Sequence, residues 1–396
     1  MKGHDGRLTN AARPAVTLLA STIVVLCSGC TIADGVVREA SSDEAVLWWI
    51  KDRQGLGRPA VDASHVYFTA APHLVVAVER SSGRVAWSRT LPVSVESLQG
   101  SGAFYGEGAV AHGGRVFVSD EDVFALDGRT GEILWRFRPA GSRNTGVFLP
   151  AIAGDWLISG STNGFLFAVD QVTGREIWRS KVVAPDTVTM YRPQVSGELI
   201  AVGFSDFVVG GGGVARGGAA VVELSTGTLR WRRYLPLAID SQVANGVSSP
   251  AVVADAVVIG AWDGPAYAFE LSSGQLRWMT PAVGTGDQVR GLRPVASDGG
   301  LVFVGSSAGV VQALDARSGE RVWSATPSFG STNELLASWG RLYWSYSGGQ
   351  FEVRDASTGR RLWTRAERPL SFSGPIDDGT LVFVSSPSSG FAALRR

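Results

Sequence analysis

Asp127-Gly128-Arg129-Thr130-Gly131-Glu132-Ile133-Leu134-Trp135 is one of seven copies of a nine-residue pattern, [DE]-x-x-[ST]-G-x-x-x-W. The others occupy residues 79–87, 170–178, 223–231, 270–278, 315–323 and 355–363, without a spacing error. Self-similarity at a period of roughly 40–50 residues predicts a propeller, a solenoid or an array. Within each copy, the acidic residue, the Ser/Thr and the Gly predict a tight turn. Carboxylate and hydroxyl can bond local backbone amides, and Gly accepts positive φ. Four residues on, Trp87, Trp135, Trp178, Trp231, Trp278, Trp323 and Trp363 are expected to wedge large apolar faces between neighbouring sheets. The pattern is read as blade architecture, not as a repeated chemical site.

Upstream of each copy lie two short β-rich runs. Leu301-Val302-Phe303-Val304 and then Val310 to Asp315 are an example. Small turn residues separate such runs, as in Gly160-Ser161-Thr162-Asn163-Gly164. Each unit therefore reads as four short antiparallel strands joined by hairpins. Pro59, Pro150, Pro193, Pro250, Pro294 and Pro375 open the first strands, where no ladder donor is needed. From Pro to Trp the chain runs 28 residues for 59→87, 150→178 and 250→278, and 38 for 193→231. The fourth unit thus holds an insertion, placed in the Gly-rich stretch 209–218 and read as a flexible hairpin tip or a mobile contact loop.

Both ends hold partial units. Residues 373–394 supply three strands of an eighth unit, and Ala45-Val46-Leu47-Trp48-Trp49-Ile50 is an apolar strand with no unit before it. The expected fold is all-β: an eight-bladed β-propeller of four-stranded antiparallel blades, with the N-terminal strand completing the last blade. Seven blades is the alternative. The expected division is 1–29 signal peptide, 30–44 polar tether and 45–396 propeller, the propeller being monomeric.

Lys2, Arg7 and Arg13 precede an uncharged, mainly apolar run that ends in Leu26-Cys27-Ser28-Gly29-Cys30. The run is too short for a comfortable membrane span, and small residues precede Cys30. It resembles a bacterial lipoprotein signal, which implies cleavage before Cys30 and lipidation of that residue. The chain beyond residue 29 then carries one cysteine and no disulfide. Basic and acidic side chains number 36 each, so charge offers no footprint for nucleic acid. No catalytic residue, metal site or cofactor is expected. Gly305-Ser306-Ser307-Ala308-Gly309 matches the G-x-S-x-G pattern, but a nucleophile elbow must lead into a helix and this is a hairpin turn. Gly210–Gly213 precedes no helix that could hold phosphate. His65 and His73 flank one hairpin without a third ligand in view.

The alternation Pro-x-Val, Val-Phe-Val-Gly and Ala-Leu-Asp-x-x-Thr-Gly-x-x-x-Trp resembles the quinoprotein-type (PQQ-like) propeller repeat family. Size, lipoprotein signal and strand closure match best its BamB branch, lipoproteins of outer-membrane β-barrel assembly. That resemblance implies a scaffold bound to an envelope protein, the BamA-type barrel-assembly subunit, and held at the periplasmic face of an outer membrane, or at the outer face of the cell membrane in a single-membrane cell. In that branch the partner meets the loops that follow the third and fourth copies, here residues 180–192 and 232–249. The corresponding candidates are Met190, Tyr191 and Arg192 in the first, and Asp240 and Asn245 in the second. The same repeat family also contains quinoprotein dehydrogenases. A small-ligand or quinone-binding propeller, sensor or oxidoreductase, is therefore the alternative. Against it stand the lack of an adjacent cysteine pair, of an acidic and amide metal cage, and of large insertions.

Overall fold

A computed structural model describes residues 46–51, 55–70, 73–92, 108–119, 121–139, 147–184, 188–206, 216–236, 246–261, 264–281, 292–306, 309–326, 332–346, 350–366, 373–386 and 390–396. Every helix or strand among them is a strand. They form eight antiparallel sheets in sequence order, the blades of an eight-bladed β-propeller. Blade 2 shows the plan: Ala109–His112, Arg115–Ser119, Val123–Asp127 and Ile133–Phe137, each hydrogen-bonded to the next. The expected closure is present. Val46–Ile50 pairs antiparallel with Gly390–Arg395, with Val46 opposite Leu394 and Ile50 opposite Phe391. It is thus the outer strand of blade 8, beside Leu381–Ser386 and Ser373–Asp377.

The middle strands carry uninterrupted apolar runs because both of their faces are covered. Val116, Phe117 and Val118 are buried, as are Val123 to Leu126. The apolar clusters lie between blades rather than within one. Val123 and Phe137 of blade 2, for example, pack with Leu157, Phe167 and Val169 of blade 3, whose middle strands are Trp156–Gly160 and Phe165–Asp170. Fourth strands alternate exposed and half-buried residues, since they form the outer edge.

The nine-residue pattern joins one blade to the next. Trp87 Nε1 donates to the carbonyl of Gly128 (2.9 Å), the residue after the acidic position of the following blade. Trp135 bonds Gln171 O, Trp178 bonds Leu224 O, Trp231 bonds Leu271 O, Trp278 bonds Ala316 O and Trp323 bonds Ala356 O, all at 2.8–3.0 Å. Each indole also lies on the Gly of that next turn. A Cβ on Gly131 would stand 2.5 Å from Trp87, and Gly131 has φ +71°. The glycine is therefore required twice, by backbone sign and by contact. At the closure, Trp48 takes the same role, bonding Arg80 O at 2.9 Å and covering Gly83. Trp363 instead packs against the cluster of blades 7 and 8, with Phe351 5.7 Å away.

The fixed three-residue gap between Gly and Trp has its own cause. In blade 2, Ala125 faces Trp135 and Leu126 faces Ile133, so Leu134 is an extra residue in a bulge. The bulge turns Trp inward and leaves Leu134 exposed, as bulges re-aim side chains. Corresponding register shifts occur in blades 1, 3, 4, 5, 6 and 7.

This strand order sorts the connections onto two faces. The signature turns, between third and fourth strands, share one face with the turns between first and second strands. The hairpins between second and third strands share the other with the connectors that lead to the next blade. We refer to these as the turn face and the loop face.

Candidate protein-binding face

Blade 4 departs from the common plan on the loop face. Its middle strands, Leu199–Asp206 and Arg216–Glu223, extend to eight residues each and pair as far as Asp206 with Arg216. A short strand, Val188–Met190, adds to their protruding end, while Gln194–Ser196 pairs nearer the turn face. The sheet becomes five-stranded. The stretch 209–218, expected to be a hairpin tip, is therefore in part strand. Arg216, Gly217 and Gly218 belong to the ladder, and a Cβ on Gly218 would stand 2.2 Å from Arg233 O and 2.5 Å from Phe204. These glycines permit close packing, which a composition-based reading of flexibility misses. Residues 209–215 lie outside the described residues.

The two connectors singled out from sequence meet here. The first, 180–192, is largely packed. Val182, Val183, Val188 and Met190 are buried between blades 3 and 4. Val182 N and Val183 N both bond Gly164 O, and Val188 N bonds Thr162 O. Met190 is a core residue whose Cβ lies 2.7 Å from where a Cβ on Gly160 would be. It holds the connector down and offers no surface. Tyr191 and Arg192 are half-buried. Tyr191 N bonds Gly203 O at 2.9 Å, and its ring packs against the cluster of Val247, Leu235 and Tyr267.

Ser205 joins the connectors. Its Oγ lies 3.0 Å from the Tyr191 hydroxyl and accepts from Val247 N, also at 3.0 Å. Val247 belongs to the second connector, 232–249. Arg232, at the start of that connector, donates to Val182 O of the first at 2.7 Å. The described parts of the two connectors are thus joined to each other, at Ser205 and at Val182. Asp240 and Asn245 lie outside the described residues.

Sequence reasoning passed over Ser205, Arg232 and Tyr234. Tyr234 ends the fourth strand, Leu229–Tyr234, and remains 36% exposed. Its ring meets Phe204 edge-on at 5.2 Å, and the Arg232 guanidinium stacks over it at 5.6 Å. Aromatic and arginine side chains in such partly desolvated settings are the residue types that carry most interface energy. The available clue was compositional: Trp231-Arg232-Arg233-Tyr234 is the one fourth strand with two arginines followed by an aromatic residue.

The turn face has a different chemistry. Asp127 Oδ1 accepts from Arg129 N, Thr130 N and Thr130 Oγ1. Asp170, Asp315 and Asp355 repeat the arrangement. These bonds favour the charged form. Thr130 N, above all, holds Asp127 below the usual carboxylate range, the Thr173 hydroxyl does so for Asp170, and Ser318 N for Asp315. The hydroxyls of Ser357 and Thr358 pull Asp355 down to about 2. Where the pattern begins with Glu, the longer side chain reaches a hydroxyl and an arginine instead. Glu79 accepts from Ser82 and pairs with Arg84; Glu223 does the same with Thr226 and Arg230. All of this serves the turn itself.

Among the described residues, no group of three or more His, Cys, Asp or Glu is disposed to hold a metal ion. On the innermost strands, burial lowers the pKa of Arg58 and the charge of Glu334 acts in the opposite direction. Ser307, the serine of the G-x-S-x-G stretch, lies outside the described residues; its neighbour Ser306 is buried and engages its own hairpin, Val310 N donating to its Oγ at 3.1 Å.

Eight antiparallel blades, closed by the N-terminal strand and wedged by one Trp per blade, define a propeller of the quinoprotein-repeat class. A family model described as outer membrane protein assembly factor BamB matches residues 18–135, 119–292 and 285–396. The chain belongs to that family. It is 25% identical to outer membrane protein assembly factor BamB of Yersinia pestis over 415 residues, covering 95% of this chain and 90% of that protein. The crystal structure of BamB from Moraxella catarrhalis superposes with a TM-score of 0.64 at 15% identity, covering 88% of this chain and 98% of that one. A europium-containing methanol dehydrogenase superposes with a TM-score of 0.66 at 16% identity, covering 86% and 84%. At such identities the structural likenesses speak for the fold alone.

Proposed function

We propose that the protein is a non-catalytic scaffold of outer-membrane protein assembly, lipid-anchored through Cys30, that binds a protein partner on the loop face of blades 3–5. In this reading residues 1–29 are removed, residues 30–44 tether the propeller to the membrane, and the partner is a BamA-type subunit of the assembly machinery. Membership of the BamB family supports the assembly role. The observation that carries the location is the convergence of Tyr191 and Val247 on Ser205, which joins the two connectors. Arg192, Tyr191, Arg232 and Tyr234 are the contacting side chains, with Asp240 and Asn245 of the second connector as further candidate contacts. Connectors joined before binding have less entropy to lose on binding.

A photo-crosslinking residue placed at Arg192 or Tyr234, in cells that carry the assembly machinery, tests this. The expected product is a covalent adduct with a barrel-assembly component. A label at Arg129, on the turn face, serves as control. No adduct from either loop-face position, or the same adduct from Arg129, would sink the proposal.

A further inference from the structure

We infer that the turn face, with Trp339 at its edge, is the side of the propeller that lies against the membrane; the inference rests on the lipid anchor proposed at Cys30. The first observation is where the tether joins the fold. Val46 pairs with Leu394, and Leu394 lies at the turn-face end of its strand. Two residues on, Arg396 Nη2 donates to Trp339 O at 2.9 Å, and its Nε lies 3.3 Å from Asp377. The chain therefore enters the propeller from the turn face, at the seam of blades 7 and 8. The stretch between Cys30 and Val46 can span at most about 50–60 Å. A lipid at Cys30 would therefore be tied to the propeller on its turn face, at that seam.

The second observation is Trp339 itself. It occupies the first position of a two-residue turn, Trp339-Gly340, with φ +52°. The equivalent position in blades 2, 3, 4 and 6 is Gly113, Gly154, Gly197 and Gly299, each with φ +56°, and in blade 5 Ala254, φ +48°. A left-handed backbone disfavours a bulky side chain. Nothing in the interior compensates, because Trp339 is 69% exposed. Its indole lies beside Gly379 of blade 8, at 3.7–3.8 Å from where a Cβ would be. An outlier of this kind points to function rather than stability. Indole favours the headgroup level of a bilayer, where its ring is half-immersed and its N–H hydrated. Tether and indole leave the propeller at the same seam, which identifies the occupant as the lipid surface and leaves the loop face free for the protein partner.

Cys30 is the only cysteine from residue 30 onward, so a maleimide-bearing phospholipid couples there alone. A donor dye is attached through an azide-bearing residue at position 317, on the turn face, or at 184, on the loop face. The coupled chain is bound to phosphatidylethanolamine–phosphatidylglycerol vesicles that contain acceptor lipid. Energy transfer from 317 is expected to exceed transfer from 184. Trp339→Gly, which suits the left-handed position, is expected to fold with an unchanged or raised Tm and to lose that difference. Equal transfer, or more from 184, overturns the orientation. A difference that persists in Trp339→Gly overturns the assignment of Trp339 to lipid. Since the lipid is attached chemically, natural lipidation of Cys30 is tested separately, by the mass of the membrane-extracted chain.

Discussion

The two faces of this propeller are built under different constraints. On the turn face, seven near-identical turns each bond their own backbone, and the indole of the preceding blade covers their glycine. Substitution there meets a structural cost almost everywhere. On the loop face the described connections vary more: the hairpins of blades 3, 5 and 6 share one bonding pattern, whereas blade 4 gains an extra strand. The comparison teaches that repetition marks where the fold spends its specificity, whereas departure from the repeat marks where individual side chains are free to serve a partner.

The comparison can be broken by stability measurements. Trp231→Ala removes an indole that is 5% exposed and bonded to Leu271 O. The expected loss is about 3–5 kcal/mol, read as a large drop in Tm or in the denaturant midpoint. A loss below about 1 kcal/mol would show that the wedge is dispensable. Gly131→Ala places a Cβ against Trp87 at a positive φ. It is expected to cost about 1–3 kcal/mol. If Trp87→Ala is already present, the contact part of that cost should vanish, which a double-mutant cycle measures.

The loop face should respond differently. Ser205→Ala removes the acceptor of Val247 N and the partner of Tyr191. The expected destabilisation is about 1–2 kcal/mol, together with faster hydrogen exchange at Val247 N and weaker crosslinking from Arg192. Unaltered exchange and unaltered crosslinking would mean that the connectors are ordered independently of each other. Arg192→Glu is expected to change stability by less than about 0.5 kcal/mol while abolishing capture of the partner. Equal capture by the variant would remove Arg192 from the binding surface.

Acid titration sharpens the contrast further, with a smaller effect per group. The turn aspartates have folded pKa values below their ordinary value, so their stabilisation is complete above about pH 4 and is lost as pH falls through the folded values. For Asp355 that value is about 2. Thermal unfolding between pH 5 and pH 2 should show Tm falling with pH, and Asp355→Asn should flatten part of that slope. An unchanged slope in the variant would show that its bonds to Ser357 and Thr358 are not felt by the folding equilibrium.

Much of the fold was legible in the chain. Asp127 to Trp135 and its copies announced the turns, since a carboxylate, a hydroxyl and a glycine at that spacing can close only a few local geometries. The closing strand could be read from Val46 to Ile50, because an apolar strand without neighbours must find an edge. The bulge before each Trp was present as constant spacing but could not be recognised, since a spacing does not say which residue is unpaired. The candidate site was less readable. Met190 stands beside Tyr191 and Arg192 in sequence, yet strand alternation and the shape of Gly160 send it into the core. Ser205 lies far from either connector in the sequence pattern and becomes their joint only when blade 4 folds.

By itself the sequence determined the repeat, the turn chemistry, the number of blades and the location of the departures from the repeat. All of these follow from local bonding and from periodic burial, which are written residue by residue. Only the tertiary structure decided which departures come together, which of their side chains are covered, and on which face the chain enters. Those depend on contacts between blades that are distant in sequence, such as Tyr191 and Val247 at Ser205 or Trp339 and Arg396 at the seam. No local pattern encodes them, because they exist only once the ring has closed.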